Sequence, residues 1–355
     1  MTYRTIVSSQ ATTISDNVNV RGRDASATAT GLTGYRSFYT DQLSISANAT
    51  AENGGSTYHN TATAYGVNQG TISFSGTDLD INAYAYSLNV YAYGANQSIL
   101  NLSNTSGVDV DISATGTVRG DDPVFGLNNS TLSSQGGNDV IVINALSQNS
   151  TTGASYRQHL EATGLNGSTI ESGAGNDQIS INSRTHYNHH YRIATQNAHG
   201  LVDSVIDAGS GHDVVTISAS GANVSQALFN STIRLGDGND QLSLTGRFIN
   251  STVEGGKNTD VIILSQERLN LYNFTQNDEG WLISGNGNSL ALSGVEEIRF
   301  MDGSFFFNNA PERTGTPVNL VPGREDTSYM LTASQLLQGY SDVDEIGRAS
   351  CRERV

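Results

Sequence analysis

Five aspartates in this sequence each close a short glycine-rich turn. The two clearest copies read GAGND and GDGND and end at Asp177 and Asp240. The glycines permit the positive φ that a tight turn needs, and a short carboxylate side chain there can accept hydrogen bonds from backbone N–H groups. The related copies end at Asp139, Asp213 and Asp260. Five carboxylates in one repeated local setting are the residues of this chain best placed to do chemistry.

Each turn lies between two segments in which apolar and polar residues alternate. The segment QISI follows Asp177, and related segments follow the other four aspartates. Such alternation predicts short strands with one buried face. The last apolar residue before the turn precedes the turn aspartate by seven positions in every copy; these residues are Leu132, Ile170, Ile206, Ile233 and Val253. This constant spacing predicts that strand, turn and strand form one rigid unit.

The distances between units vary, by contrast. Successive turn aspartates lie 38, 36, 27 and 20 residues apart. Two weaker copies precede them, one with Gly76 and Asp78 and one with Gly107 and Asp109. A solenoid tolerates such variation because its loops leave the stack while the strands stay in register. We therefore predict an all-β chain folded as a parallel β-solenoid of the β-roll or β-helix kind, with capped ends.

The turns resemble the glycine- and aspartate-rich nonapeptide repeats of the RTX family, whose members include bacterial surface proteins and adhesins. In that family, turn carbonyls and carboxylates of neighbouring coils share calcium ions, because a hard cation requires several oxygen ligands. The resemblance therefore implies calcium as the cofactor. The ligands that it implies are the turn carboxylates and the turn glycine carbonyls, namely those of Asp139, Asp177, Asp213, Asp240, Asp260, Gly137, Gly175, Gly211 and Gly238.

The chain departs from the family in its spacing. A family coil has about 18 residues with a turn on both sides, whereas here one nonapeptide occurs per unit of roughly twice that length. Either every second coil lacks the motif, which leaves two-coil calcium sites incomplete, or each coil is larger and the extra length is looped out. A further alternative needs no metal: the aspartates cap backbone N–H groups and bind nothing else.

Composition narrows the classes of partner. The 355 residues carry 34 acidic and 18 basic side chains, a net charge of −16, which would repel nucleic acid. No apolar run is long enough for a membrane helix, so we expect no membrane insertion. The first residues, Met1-Thr2-Tyr3-Arg4, do not have the apolar h-region of a secretory signal peptide, but RTX proteins typically leave the cell through a C-terminal signal. The resemblance thus implies a secreted or cell-surface protein whose partners are calcium and polysaccharide or other cell-surface ligands.

We predict an N-terminal cap and first coils in residues 1–60, a repeat solenoid in 61–265 and capping hairpins in 266–308. Trp281, Phe300 and Phe305-Phe306-Phe307 are the aromatic residues that could plug the open end of the solenoid. A bare terminal coil would otherwise expose its core and its strand edges.

Residues 309–345 resemble the start of a cadherin-like, immunoglobulin-type module, a β-sandwich that is cut before it could close. The resemblance rests on Asn309-Ala310-Pro311 and Ser341-Asp342-Val343-Asp344. Residues 346–355 contain the only cysteine, Cys351, and resemble translated sequencing adapter. We therefore expect the chain to be the N-terminal fragment of a longer protein.

An enzyme is the competing prediction. Six of the seven histidines lie between His159 and His212, near tyrosines and arginines that could abstract a proton beside a uronate, as in a polysaccharide lyase or epimerase, or hold a metal. The Tyr-Arg pair recurs, however, at Tyr35, Tyr156 and Tyr191, which favours a stacking ladder over a single active site. We therefore predict no catalytic residues and favour a calcium-stiffened structural or adhesive element of an exported RTX-like protein.

Overall fold

The computed structural model describes residues 4–7, 11–21, 25–52, 60–118, 121–149, 158–187, 194–277 and 280–307, with the short pieces 312–313, 315–316, 332 and 339–341. Nearly all the described secondary structure is β-strand, and the single helical element in this part of the chain is the 3-10 turn Leu269–Leu271. No helix within these ranges is long and apolar enough to cross a membrane.

One coil consists of three successive strands on three different faces. β9 (Asp109–Val118) lies on the first face, β10 (Asp121–Asn128) on the second and β11 (Thr131–Ser134) on the third. The chain then returns to the first face as β12 (Val140–Asn149), which pairs with β9 in parallel. Coils are therefore stacked strand on strand, and the prediction of an all-β parallel solenoid is confirmed.

The first face is an 11-stranded sheet. Its other strands are β2 (Thr12–Arg21), β4 (Gln42–Glu52), β6 (Asp78–Ser87), β15 (Gln178–His186), β18 (Val214–Ser220), β21 (Gln241–Thr245), β24 (Val261–Leu264), β28 (Glu297–Phe300) and β29 (Gly303–Phe306).

The second and third faces form one 18-stranded sheet, because β3 (Ser26–Tyr39) and β5 (Thr61–Phe74) run around the corner between them. The second face also holds β7 (Asn89–Asn96), β13 (Gln158–Asn166), β16 (Ala194–Val202), β19 (Val224–Phe229) and β22 (Arg247–Ile249). The third face holds β1 (Arg4–Val7), β8 (Ile99–Leu102), β14 (Thr169–Glu171), β17 (Val205–Asp207), β20 (Thr232–Asp237), β23 (Ser251–Lys257), β25 (Asn273–Asn277), β26 (Gly280–Gly285) and β27 (Asn288–Ser293).

Each sequence repeat forms one complete coil. Val140 pairs with Gln178, and Gln178 pairs with Val214, so the turn aspartates one position earlier occupy neighbouring coils. The alternative in which every second coil lacks the motif is therefore excluded, and the larger coil is correct.

Length varies most at one of the three corners. We call the connection from first to second face the first corner, that from second to third face the second corner, and that from third face to the next coil the third corner. The first corner ranges from one residue, between β6 and β7, to eight, between β12 and β13. The second corner has at most two residues and the third has two to six, so the stack keeps its register.

Inward side chains of successive coils form rows. One row on the first face consists of isoleucines that are all fully buried: Ile45, Ile81, Ile112, Ile143, Ile181 and Ile217. Large aliphatic residues of this kind fill the main core, while a second cluster beside the first corner is mostly alanine. Because interiors are close-packed, the small side chains let the first and second faces approach each other there.

The C-terminal end of the stack changes to antiparallel pairing. β26 pairs antiparallel with β25 and β27, and β29 pairs antiparallel with β28. Phe305 stacks on Phe274 with ring centres 3.8 Å apart, and Trp281 lies 5.3 Å from Phe307. Of the residues proposed to plug this end, Phe300 also joins the aromatic cluster, whereas Phe306 is 70% exposed.

Most of the predicted module at 309–345, and all of the predicted adapter peptide at 346–355, lie outside the described residues. Within the module, β30 (Glu312–Arg313) pairs antiparallel with β31 (Tyr340–Ser341).

Candidate functional site

The five turn aspartates form a continuous ladder in the third corner. The Oδ1 atom of Asp177 accepts the backbone N–H of Asp139 at 2.8 Å, and Oδ1 of Asp213 accepts that of Asp177 at 2.7 Å. Asp240 and Asp260 continue the same pattern at 2.8 and 2.9 Å. Each carboxylate thus caps the coil before it, so the hydrogen bonds run between coils and not within one turn.

Different residues occupy the two ends of this aspartate ladder. At the N-terminal end, Oδ1 of Asp139 accepts the N–H of Val108 at 2.7 Å. At the C-terminal end, Oε2 of Glu296 accepts the N–H of Asp260 at 2.6 Å. Sequence reasoning missed Glu296 as a member of the ladder. The available signal was a carboxylate two positions after Gly294, in a segment that lacks the rest of the motif.

In each ladder aspartate the second carboxylate oxygen, Oδ2, is buried and has no hydrogen bond to a described residue. The five Oδ2 atoms have no partner among the described residues, and the aspartates are at most 2% exposed. Burial, with a smaller contribution from nearby carboxylates, raises the pKa of Asp139 to about 6, of Asp213 to about 7 and of Asp260 to about 8. Burial also raises the pKa of Asp177 and Asp240. Burial therefore disfavours the ionised form of these carboxylates, and a proton or a bound cation would stabilise them.

The turn glycines are explained by close approach between coils. A Cβ added to Gly175 would overlap the carbonyl oxygen of Gly137, and one added to Gly211 would overlap that of Gly175. Gly238 stands in the same relation to Gly211. Gly137, Gly175 and Gly211 also have positive φ of 100°, 142° and 135°. The carbonyls named as candidate ligands at Gly137, Gly175 and Gly211 thus point along the stack towards the next glycine.

A second, neutral ladder lies beside the aspartates. Oδ1 of Asn138 accepts the N–H of Asn176 at 2.8 Å, and Oδ1 of Asn176 accepts that of His212 at 2.7 Å. Nδ1 of His212 accepts the N–H of Asn239 at 2.9 Å, so His212 takes the part that asparagine plays elsewhere. This explains why histidine can replace asparagine in the motif.

The second corner repeats the same device with serine. Oγ of Ser168 accepts the N–H of Ser130 at 3.1 Å, and Oγ of Ser204 accepts that of Ser168 at 3.1 Å. Each serine hydroxyl donates in turn to a carbonyl, as Ser168 does to Asn166 at 2.8 Å. The residue before each serine is left-handed, for example Asn129 with φ of 46°. The sequence pattern marks the apolar residue two positions after each serine, such as Leu132 after Ser130, but does not predict this corner.

The weaker motif copies do not join the aspartate ladder. In the strand register, Asp78 is aligned with Asp109, and Asp109 is aligned with Val140. Val140 is one position after the ladder residue Asp139, so the two weaker copies are out of line with the ladder. Together with Asp80 and Asp111 they lie on the outer surface of the first face. There the pKa of Asp80 is raised, first by burial and then by the charges of Asp78 and Asp111.

The histidine-rich segment is only partly described. His159 lies 3.4 Å from Glu161, and Nδ1 of His199 lies 3.0 Å from Oε1 of Gln226. The Tyr-Arg pairs at Tyr156 and Tyr191 fall outside the described residues. A different stack occurs on the second face, where Tyr65, Tyr93 and Phe125 are 5.0 and 5.4 Å apart. Within the described ranges, no three His, Cys, Asp or Glu side chains converge closely enough to hold a metal.

The fold and the ladders together define a class: a parallel β-solenoid whose corners are held by stacked side chains, buried Asp beside exposed Asn. Comparison with family models, with curated proteins and with solved structures finds no match in any of the three.

Proposed function

We propose that this chain belongs to a large exported, RTX-like protein of the cell surface or extracellular matrix, in which the solenoid is a calcium-stiffened structural or adhesive element. The role is mechanical and not catalytic. The observation that supports it is the row of five buried Oδ2 atoms without a partner among the described residues.

The serine ladder shows why these oxygens are informative. Serine caps the N–H groups of the second corner with a neutral side chain whose own hydrogen is also used. Aspartate performs the same capping in the third corner and leaves one buried carboxylate oxygen without a described partner. Because an unpaired buried charge costs several kcal/mol, a corner that needed only capping would be more stable with a neutral side chain. We therefore infer that the aspartates have a second role besides capping, and we propose that this role is cation binding.

Calcium fits the ladder in charge and in donor chemistry. It prefers oxygen ligands and tolerates irregular arrangements of six to eight of them. The Oδ2 atoms of successive aspartates would hold it, and bound calcium would supply the positive charge that their described surroundings lack. Two carboxylate oxygens per pair of coils are fewer than calcium takes, so water or turn carbonyls would complete the set. The net charge of −16 agrees with a chain whose acidic groups are neutralised by bound cations.

Thermal unfolding of the full chain, followed by circular dichroism, tests the calcium proposal. We expect a higher melting temperature in millimolar calcium than in EDTA, with no comparable effect of magnesium. A site that binds only the folded state adds about 2.7 kcal/mol when calcium is at 100 times its Kd. An unchanged melting temperature would contradict calcium binding and leave a ladder neutralised by protons.

Asp213→Asn and Asp78→Asn form a matched pair for this test. The first keeps an oxygen that can accept the N–H of Asp177 but removes the buried charge, whereas the second removes a charge from the outer surface. We expect Asp213→Asn to melt higher than wild type in EDTA and to gain less from calcium. Asp78→Asn should respond to calcium as wild type does; equal calcium responses of all three proteins would place the ion elsewhere.

A further inference from the structure

At the N-terminal end of the stack, two strand edges have no further pairing partner among the described residues. Among the described strands, β2 pairs only with β4, over its full ten residues. The first part of β3, residues 26–32, pairs only with β5. Ile14, Val18 and Val20 point towards the core from β2 but are only half-buried. An open edge with apolar residues behind it is a surface on which a further strand can pair.

Asp16 interrupts an apolar row at this end. In the following coils the same position is occupied by small side chains, which are Ala47, Ala83, Ala114, Ala145, Ser183 and Ala219. Among the described members of this row, only the one in the first coil is charged. Arg36 likewise places a charged residue in a row of the third face. The residue aligned with it in the next coil is Ile72, which is fully buried.

The Asp16 carboxylate lies across the open end. Its Oδ2 atom accepts the backbone N–H of Thr30 at 2.7 Å, which connects the first face to the edge of β3 on the second face. Asp16 is half-buried, so its charge still reaches solvent. A coil stacked on this end would bury that charge, and burying an ion without a partner costs several kcal/mol.

We propose that Asp16 is a termination residue that prevents a second copy of this chain from stacking on the N-terminal edge. Its carboxylate accepts the N–H of Thr30, and its charge makes it unfavourable to bury this end of the stack under another coil. Inward-pointing charge is a known way to protect an exposed strand edge. The surface therefore fits another solenoid coil, and Asp16 keeps that coil away. This inference is independent of calcium.

Sedimentation velocity of the full chain over a hundredfold concentration range tests this role. Wild type should remain monomeric. Asp16→Ala, which restores the residue found in the next coil, should self-associate at least tenfold more tightly. Asp16→Asn should fall between them, because it keeps an acceptor for Thr30 but loses the charge. Ser15→Ala, on the same strand but facing outward, is the matched control and should behave as wild type.

The variants separate termination from simple capping. If Asp16 only satisfies the Thr30 N–H, Asp16→Ala will melt lower but stay monomeric, and Asp16→Asn will match wild type; that pattern overturns the proposal. Self-association of wild type through this edge overturns it as well. Should Asp16→Ala fail to fold, Asp16→Ser introduces the residue that Ser183 already places in the row, and the same expectation applies to it.

Discussion

The second and third corners solve one problem with different chemistry. In both, a side-chain oxygen of the next coil accepts a backbone N–H. Oγ of Ser168 accepts the N–H of Ser130 in one corner, and Oδ1 of Asp177 accepts the N–H of Asp139 in the other. The serine corner is then complete, whereas the aspartate corner retains a buried oxygen without a described partner. The difference shows that capping alone does not require aspartate. One corner is complete as a cap, and the other keeps a buried carboxylate oxygen that capping does not use.

Gly211→Ala should have the largest effect on this comparison. The added Cβ would overlap the carbonyl oxygen of Gly175, and the φ of 135° is strained for alanine. We expect a loss of about 3 kcal/mol or more in the free energy of unfolding, measured by urea denaturation. The control is Ser210→Ala, next to it in the same turn. A loss below about 1 kcal/mol would mean that the turns are not packed this closely.

The pH dependence of stability should come from the aspartate corner. In EDTA, the pKa values of about 6, 7 and 8 at Asp139, Asp213 and Asp260 lie above the value of about 3.9 for an unfolded aspartate. Between these limits the folded state binds more protons, so the free energy of unfolding falls as pH rises. Each unit of pKa difference corresponds to about 1.4 kcal/mol.

Melting temperatures in EDTA from pH 5 to pH 8 would measure this slope. We expect a steady decrease, and a smaller one for Asp213→Asn because one of the titrating groups is gone. A melting temperature that rises over this range would show that the carboxylates are already charged and neutralised in the fold.

Ser168→Ala probes the serine corner. The change leaves the buried N–H of Ser130 without its acceptor, which should cost about 1–2 kcal/mol in chemical denaturation. Because no charge is involved, the loss should be the same in EDTA and in calcium, and the same at pH 5 and pH 8. A loss that depends on calcium would show that the two corners are coupled.

Shortening the first corner should have the smallest effect. Its connections already range from one residue to eight, so deletion of residues 151–154, which halves the eight-residue connection between β12 and β13, shortens a segment whose length the stack does not fix. Loop-closure entropy changes by only about 0.6 kcal/mol for a twofold change in length. Differential scanning calorimetry should therefore find nearly the wild-type melting temperature; a loss as large as that of Ser168→Ala would assign the segment a packing role.

The sequence predicts the third corner well because one pattern recurs there at fixed spacing. The eight residues from Ile170 to Asp177 encode strand, turn and cap together, and the solenoid follows from their repetition. The second corner is harder to predict, because its left-handed position accepts Gln97, Asn129 and Asp203 alike. What fixes that conformation is the neighbouring coil, which is distant in sequence.

The end of the aspartate ladder was unpredictable for a similar reason. Glu296 reaches the N–H of Asp260 with a side chain one methylene longer than aspartate, from a segment without the glycine motif. The role of Asp16 is likewise visible only once its row is known to be alanine in the coils above. Both residues act through contacts between coils, which local sequence patterns do not report.

Because every rung of the ladder is bonded to the coil before it, the junctions between coils are chemically alike. A recombination event that adds or removes one whole repeat, whether of 20 or of 38 residues, recreates the same N–H to carboxylate bond at the new junction. The number of coils in the stack can therefore change by one at a time without a new kind of contact between coils. Natural variation in coil number, with both end coils retained, is the evolutionary signature that this arrangement permits.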